Sequence, residues 1–127
     1  MNLFKDFVKY AVEKDYRNRF SIADVDISKL NGDELFIEFY SNYNPEDVEI
    51  DLGEQGIISF FSAEELSKVQ LEYNCEGYFV FASIEGDPVA IKNGKIYLAP
   101  HGAGKEEYDF KKTSKGFIEF LKSLMNN

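Results

Sequence analysis

At 127 residues the chain has the length of one domain, and a domain of this size buries roughly two thirds of its unfolded surface without a disulfide or metal staple. Its 14 Lys and Arg against 23 Asp and Glu give a formal net charge of −9, which makes it a poor nucleic-acid binder unless its basic residues cluster. One Cys excludes an internal disulfide and fits a reducing compartment, and no apolar run nears the ~18 residues of a membrane span.

The N-terminal stretch MNLFKDFVKYAVEKDY carries Asp6, Glu13 and Asp15 inside its apolar pattern and lacks a small-residue cleavage site, so it does not read as a signal peptide. Leu3, Phe4, Phe7, Val8, Ala11 and Val12 recur at helical spacing and predict an amphipathic first helix ending near Asp15. Tyr16 to Leu30 fits neither period and reads as a loop with a short helical turn, in which Ser21 with Asp24 resembles a capping box. Leu35, Phe36, Phe39, Tyr40 and Tyr43 predict a second helix, capped by Asn31 or Asp33 and ended by Asn44-Pro45.

The segment from Asp47 to Leu52 alternates: Val48, Ile50 and Leu52 point one way, and Asp47, Glu49 and Asp51 the other. Gly53 to Gly56 reads as a turn and Ile57 to Phe61 as the returning strand of a hairpin. Ser62-Ala63-Glu64-Glu65 is a capping box opening a short helix over roughly residues 63 to 69, after which Leu71 and Tyr73 begin a return to the sheet.

Tyr78 to Ile84 is an unbroken aromatic and β-branched run, the mark of a strand buried on both faces. Glu85-Gly86-Asp87-Pro88 reads as the turn that stops it. Asn93-Gly94 between Val89–Lys92 and Lys95–Leu98 predicts a hairpin with a two-residue type I′ turn. Its register sets Ile91 opposite Ile96 and Val89 opposite Leu98 on one face, with Ala90 opposite Tyr97 on the other. Ala99 to Asp109 reads as a loop, and Thr113 or Ser114 as the cap of a last helix striped by Phe117, Phe120, Leu121 and Leu124.

Catalytic and metal motifs are weak. His101 is the only His and lies in a Gly-rich loop, and Cys75 has no C-x-x-C partner. Gly102-Ala103-Gly104-Lys105 resembles the end of a phosphate loop, but Ala99 and Glu106 stand where that motif needs Gly and a hydroxyl residue. No zinc or calcium spacing occurs. Charge distribution is more informative. No Lys or Arg lies between Lys29 and Lys68, a window that holds Asp33, Glu34, Glu38, Glu46, Asp47, Glu49, Asp51, Glu54, Glu64 and Glu65. Such segregation gives either a merely solvated surface or a docking face for a basic protein. The segment Glu46 to Glu54, with Glu46, Asp47, Glu49, Asp51 and Glu54, is the candidate contact.

The C-terminal half carries a recognisable order: a strand reaching Ile84, then Gly86-Asp87-Pro88-Val89, then Gly94-Lys95-Ile96-Tyr97, a loop with His101, and a closing Thr113-Ser114 and Phe117-Ile118-Glu119-Phe120-Leu121. Over residues 77 to 124 this resembles the SUKH superfamily of Smi/Knr-like domains. The resemblance implies an α+β fold with a mostly antiparallel sheet of five to six strands and helices packed on one face, and it implies neither catalysis nor a cofactor. Gly86, Asp87, Pro88, Gly94 and Tyr97 would be a structural signature. Bacterial members typically act as immunity proteins that bind and neutralise a toxin domain, often a nuclease, inside the producing cell; fungal relatives are scaffold-like regulators of cell-wall assembly.

The expectation is therefore one domain, residues 1–127, acting in the cytoplasm as a non-catalytic immunity protein. Its partner would be a basic toxin domain, with no direct nucleic-acid or membrane contact. The alternatives are a regulatory or scaffold module without a toxin partner, and a small-ligand-binding domain that uses the His101 loop.

Overall fold

The computed structural model describes residues 2–99 and 110–126. Helix α1 (Leu3–Lys14) begins where the Asn2 side chain accepts from the N–H groups of Phe4 and Lys5, and it buries Phe4, Phe7 and Ala11. Helix α2 (Glu34–Asn42) is capped by Asp33, whose carboxylate accepts from the Phe36 N–H at 2.9 Å; Asn31 instead accepts from the Asp33 N–H. The segment between them is not all loop. It contains strand β1 (Arg19–Ser21), which pairs with β2 (Asn44–Glu46), and a 3₁₀ turn at Ile27–Lys29. Ser21 lies in β1 and caps nothing; three residues are too few to display a period.

Among the described residues the main sheet has six antiparallel strands in sequence order: β3 (Val48–Asp51), β4 (Ile57–Phe60), β5 (Phe79–Ile84), β6 (Asp87–Lys92), β7 (Lys95–Leu98) and β8 (Lys111–Lys112). The β6–β7 hairpin has the predicted register, with Val89, Ala90 and Ile91 opposite Leu98, Tyr97 and Ile96. Asn93 and Gly94 both hold positive φ, 50° and 76°, as a type I′ turn requires. The turn before it is shorter than predicted. Only Glu85 and Gly86 form it, again both at positive φ, while Asp87 and Pro88 already belong to β6, opposite Ile84 and Ser83. Pro88 is tolerated there because β7 ends opposite Val89, so no neighbouring strand lies beside its nitrogen.

Two helix boundaries also differ from expectation. After Ser62, whose N–H donates to Glu65 Oε1, a 3₁₀ turn runs into α3 (Leu66–Tyr73), so Leu71 and Tyr73 are helical; Asn74, at φ 52°, ends the helix in the left-handed conformation. Helix α4 (Phe117–Met125) starts after Gly116, whose N–H donates to Glu119 Oε1. Thr113 does not cap it, because its hydroxyl donates to the Ile96 carbonyl and accepts from the Lys115 N–H.

The sheet has two different faces. Val48, Ile50, Ile58, Phe60, Val89, Ile91 and Ile96 join α1, α2 and α4 in the main core. Val80 and Ala90, cross-strand partners on the opposite face, pack instead under Val69 of α3. Helices therefore cover both faces, with α3 the one helix on the second among the described residues. A bulge between Val80 and Ala82 lets Phe81 enter the main core. The Phe81 carbonyl accepts from the Phe61 N–H and the Tyr40 hydroxyl. Beyond the end of β4, the Gln70 carboxamide accepts from the Val80 N–H at 2.8 Å and donates to the Val80 carbonyl, standing in for a missing strand.

Gly94→Val tests the hairpin. A Cβ there meets only Asp33 Oδ2 at 3.5 Å, so space is not limiting; the cost is a β-branched residue at φ 76°. A loss of about 1–3 kcal/mol in urea unfolding is expected, whereas Gly94→Asn should lose less because Asn tolerates the left-handed region. Equal losses would contradict the turn.

Candidate functional site

The acidic segment lies at one edge of the main sheet, and its residues fall into two environments. Asp47 does not belong to the strand. It sits at φ 57° in the kink between β2 and β3, and its carboxylate is 3.5 Å from Arg19 Nη2. That pair is solvent-exposed on both sides, so it is worth little. Arg17 is engaged more tightly: it donates to both carboxylate oxygens of Asp15 at 2.8 and 3.0 Å, and this hydrogen bonding holds the Asp15 carboxyl down to about 2. The chain's two arginines thus stand beside a segment that looks free of cations in the linear sequence. The expected row of three carboxylates on one strand face becomes two, Glu49 and Asp51, while Val48, Ile50 and Leu52 are buried as expected.

Glu49 and Asp51 project from the sheet face opposite the main core. Pairing carries a polar row across the sheet from Glu49 through Ser59 to Ser83. The Ser59 hydroxyl donates to Glu49 Oε2 at 3.3 Å. An open groove of about 530 Å³ follows this row, lined by Glu49, Ile57, Ser59, Ser83, Glu85 and Gly86. Glu85 enters it from the β5–β6 turn. Its side chain lies over Gly56, where an added Cβ would be 2.3 Å from Glu85 Cγ, and Oε2 accepts from the Ile57 N–H at 3.4 Å. Sequence reasoning missed Glu85, because three strands of pairing, not local spacing, place it beside Glu49. Glu46 is half-buried in β2, and Glu54 is exposed in the 3₁₀ turn Gly53–Gln55. Asp51 accepts from the Gly53 N–H at 2.8 Å.

The carboxylates of this window differ in what they do for the fold. Asp33 and Glu65 cap helical turns. Glu64 ties together three segments distant in sequence: its oxygens accept from the Asp24 N–H and from Asn44 Nδ2, and Asn44 Oδ1 in turn accepts from the Ala63 N–H. Burial would raise the Glu64 pKa, but those hydrogen bonds outweigh it and hold the carboxyl below its ordinary value. Asp51 holds the turn that follows β3 through the Gly53 N–H, and among the described residues the Glu49 carboxylate is hydrogen-bonded only by the Ser59 hydroxyl at 3.3 Å.

The backbone edge beneath Glu49 is closed. Asn18, 3% exposed, accepts from the Glu49 N–H at 2.9 Å and donates to the Glu49 carbonyl at 2.9 Å and to the Ala11 carbonyl at 2.9 Å. One carboxamide thereby replaces a neighbouring strand at Glu49 and removes that residue's outward groups from pairing with another chain.

The signature residues serve the hairpins. Gly86, at φ 88°, is the second turn residue and its carbonyl accepts from the Tyr73 hydroxyl at 3.0 Å. Asp87 and Pro88 open β6, and Gly94 completes the next turn. Tyr97 packs edge-on against Tyr78, 5.1 Å between centroids. Cys75 is half-buried beside the smaller cluster, and burial pushes its thiol pKa up. His101 and the phosphate-loop-like Gly102–Lys105 lie outside the described residues. Among the described residues no group of three His, Cys, Asp or Glu side chains is placed to hold a metal ion, and no helix is long and apolar enough to cross a membrane. Comparison with protein-family models, with curated proteins and with solved structures gives no match.

Proposed function

We propose that this domain is a non-catalytic binding protein whose acidic β3 edge docks a basic protein, and that the partner is a toxin domain it neutralises in the cytoplasm. The toxin assignment rests on the resemblance of residues 77–124 to the SUKH superfamily. The docking assignment rests on one observation: Glu49 and Asp51 project from an edge strand that Asn18 already seals at Glu49. Charges on an edge strand ordinarily discourage intermolecular pairing. Here the outward N–H and carbonyl of Glu49 are taken, so that duty is met at Glu49 without its charge, and adjacent carboxylates repel. Their remaining use is to speed association with a cationic surface and disfavour wrong partners. The reading needs no metal or cofactor and no nucleic-acid contact.

The test uses the product of the adjoining open reading frame as candidate partner. Reversing Asp47, Glu49 and Asp51 together to Lys should slow association about tenfold or more at low ionic strength, with the gap closing as salt rises. Since the Asp47–Arg19 pair is solvent-exposed, the variant should stay folded. Unchanged association at every salt concentration, with the fold intact, would remove this face.

A further inference from the structure

The lysines absent from the acidic window collect at the other end of the same sheet. Lys92 and Lys95 are cross-strand partners beside the Asn93-Gly94 turn, and Lys112 of β8 lies opposite Tyr97 of β7. Strand alternation puts all three on the face that carries Ala90 and Tyr97, away from the main core. Lys92 Nζ lies 4.6 Å from the centre of the Tyr78 ring. None of the three is within ion-pair distance of a carboxylate among the described residues; the Glu119 carboxylate on α4, engaged first by the Gly116 N–H, also lies within the field of Lys95. Like charges directly opposite one another cost stability within a sheet. One sheet face is thus bipolar: Glu49, Asp51 and Glu85 at the β3 end, Lys92, Lys95 and Lys112 at the β8 end, and α3 between them.

We propose that this face docks a second copy of the chain head to tail, the lysine end of one molecule against the groove lined by Glu49 and Glu85, with Asp51 beside it on the same face, of the next. The contact uses different surfaces on the two copies, so it is heterologous and does not close unless its rotation returns to the start. The net charge of −9 opposes it at long range. At about 0.1 M salt the Debye length of about 10 Å screens repulsion across the molecule while contacting pairs keep most of their attraction; at about 1 M, with a length of about 3 Å, those pairs weaken as well. Self-association also covers the carboxylates assigned above to the partner, so a bound partner and a second copy compete.

Sedimentation equilibrium of the intact protein tests this. At about 0.1 M salt the weight-average mass should climb above 14.6 kDa as concentration approaches about 1 mM, and it should return to 14.6 kDa at about 1 M salt. Glu49→Lys with Asp51→Lys makes the chain less negative, so general repulsion falls; loss of association in that variant therefore reports the specific contact. Lys95→Glu with Lys112→Glu should also be monomeric, and an equimolar mixture of the two double variants should associate at least about tenfold more tightly than either alone. A wild-type mass of 14.6 kDa throughout, or double variants that associate as the wild type does, would overturn the proposal. Either result leaves the toxin-binding reading standing, because that reading is measured on a different pair of molecules.

Discussion

Phe36→Ala is expected to cost about 3–5 kcal/mol, the range for emptying a fully buried aromatic site. The Phe36 ring is completely buried where α2, β5 and α4 meet. It stacks on Tyr40 at 4.5 Å between centroids and meets Phe79, Phe81 and Phe117 edge-on at 5.5 to 5.6 Å. Removing it strips partners from four other rings at once, and rings held by different elements cannot all close the gap. Total stability of a domain is about 5–15 kcal/mol, so the variant should be only marginally folded, with its melting temperature lowered by about 10 °C or more. Urea unfolding at constant m is the measurement. Leu35→Ala, at the partly exposed neighbouring position, should shift stability by less than about 1 kcal/mol. Comparable losses at the two sites would contradict the placement of Phe36 at the centre of the core.

What the sequence made legible was local. Phe4, Phe7 and Ala11 repeat with the helical period because they face one core, and Asn93-Gly94 fixes its hairpin because both positions need positive φ. The misreadings have a common cause in contacts that span the chain. Arg19–Ser21 is a strand only because Asn44–Glu46 lies beside it, 25 residues later in register. Pro88 looked like a turn residue because a proline cannot donate within a ladder, yet β7 stops one position short of needing that donor. The apolar character of Leu71 predicts a return to the sheet, but it lies exposed on α3. The candidate site shows the same division. Alternation of Val48, Ile50 and Leu52 correctly put Glu49 and Asp51 in solvent, whereas Glu85 and the two arginines reached the neighbourhood through tertiary structure. A linear window without cations is therefore less segregated in space than in sequence at its Asp47 end, and the basic counterpart at Lys92, Lys95 and Lys112 appears only once β6, β7 and β8 are aligned.

The second large effect should come from Asn18, a residue with no motif around it. Asn18→Leu keeps the size but leaves the Glu49 N–H and the Glu49 carbonyl without their partner, while the Ala11 carbonyl keeps only its bond from the Asp15 N–H at 3.1 Å. Each buried polar group stranded in this way costs about 1–3 kcal/mol; water reaching the β3 edge recovers some of it, so about 2–4 kcal/mol is expected in total. Asn18→Asp gives a result with a sign. Its acceptor can still serve the Glu49 N–H, but an ionised carboxylate would face two carbonyl oxygens in place of the donor that now binds them. The folded state therefore favours the protonated acid and raises its pKa above the unfolded value of about 3.9. For a raised acid the penalty is absent below the unfolded pKa and grows as pH rises from there up to the folded pKa, so this variant should be closer to wild type at pH 4 than at pH 7. Hydrogen exchange supplies the local readout. The outward-facing Glu49 amide should be protected in the wild type although its strand is at the sheet edge, and it should exchange at least about a hundredfold faster in Asn18→Leu, given the local opening energy lost with the bond. An unprotected Glu49 amide in the wild type would mean that the carboxamide does not seal the edge, and the argument that frees Glu49 and Asp51 for docking would fall with it.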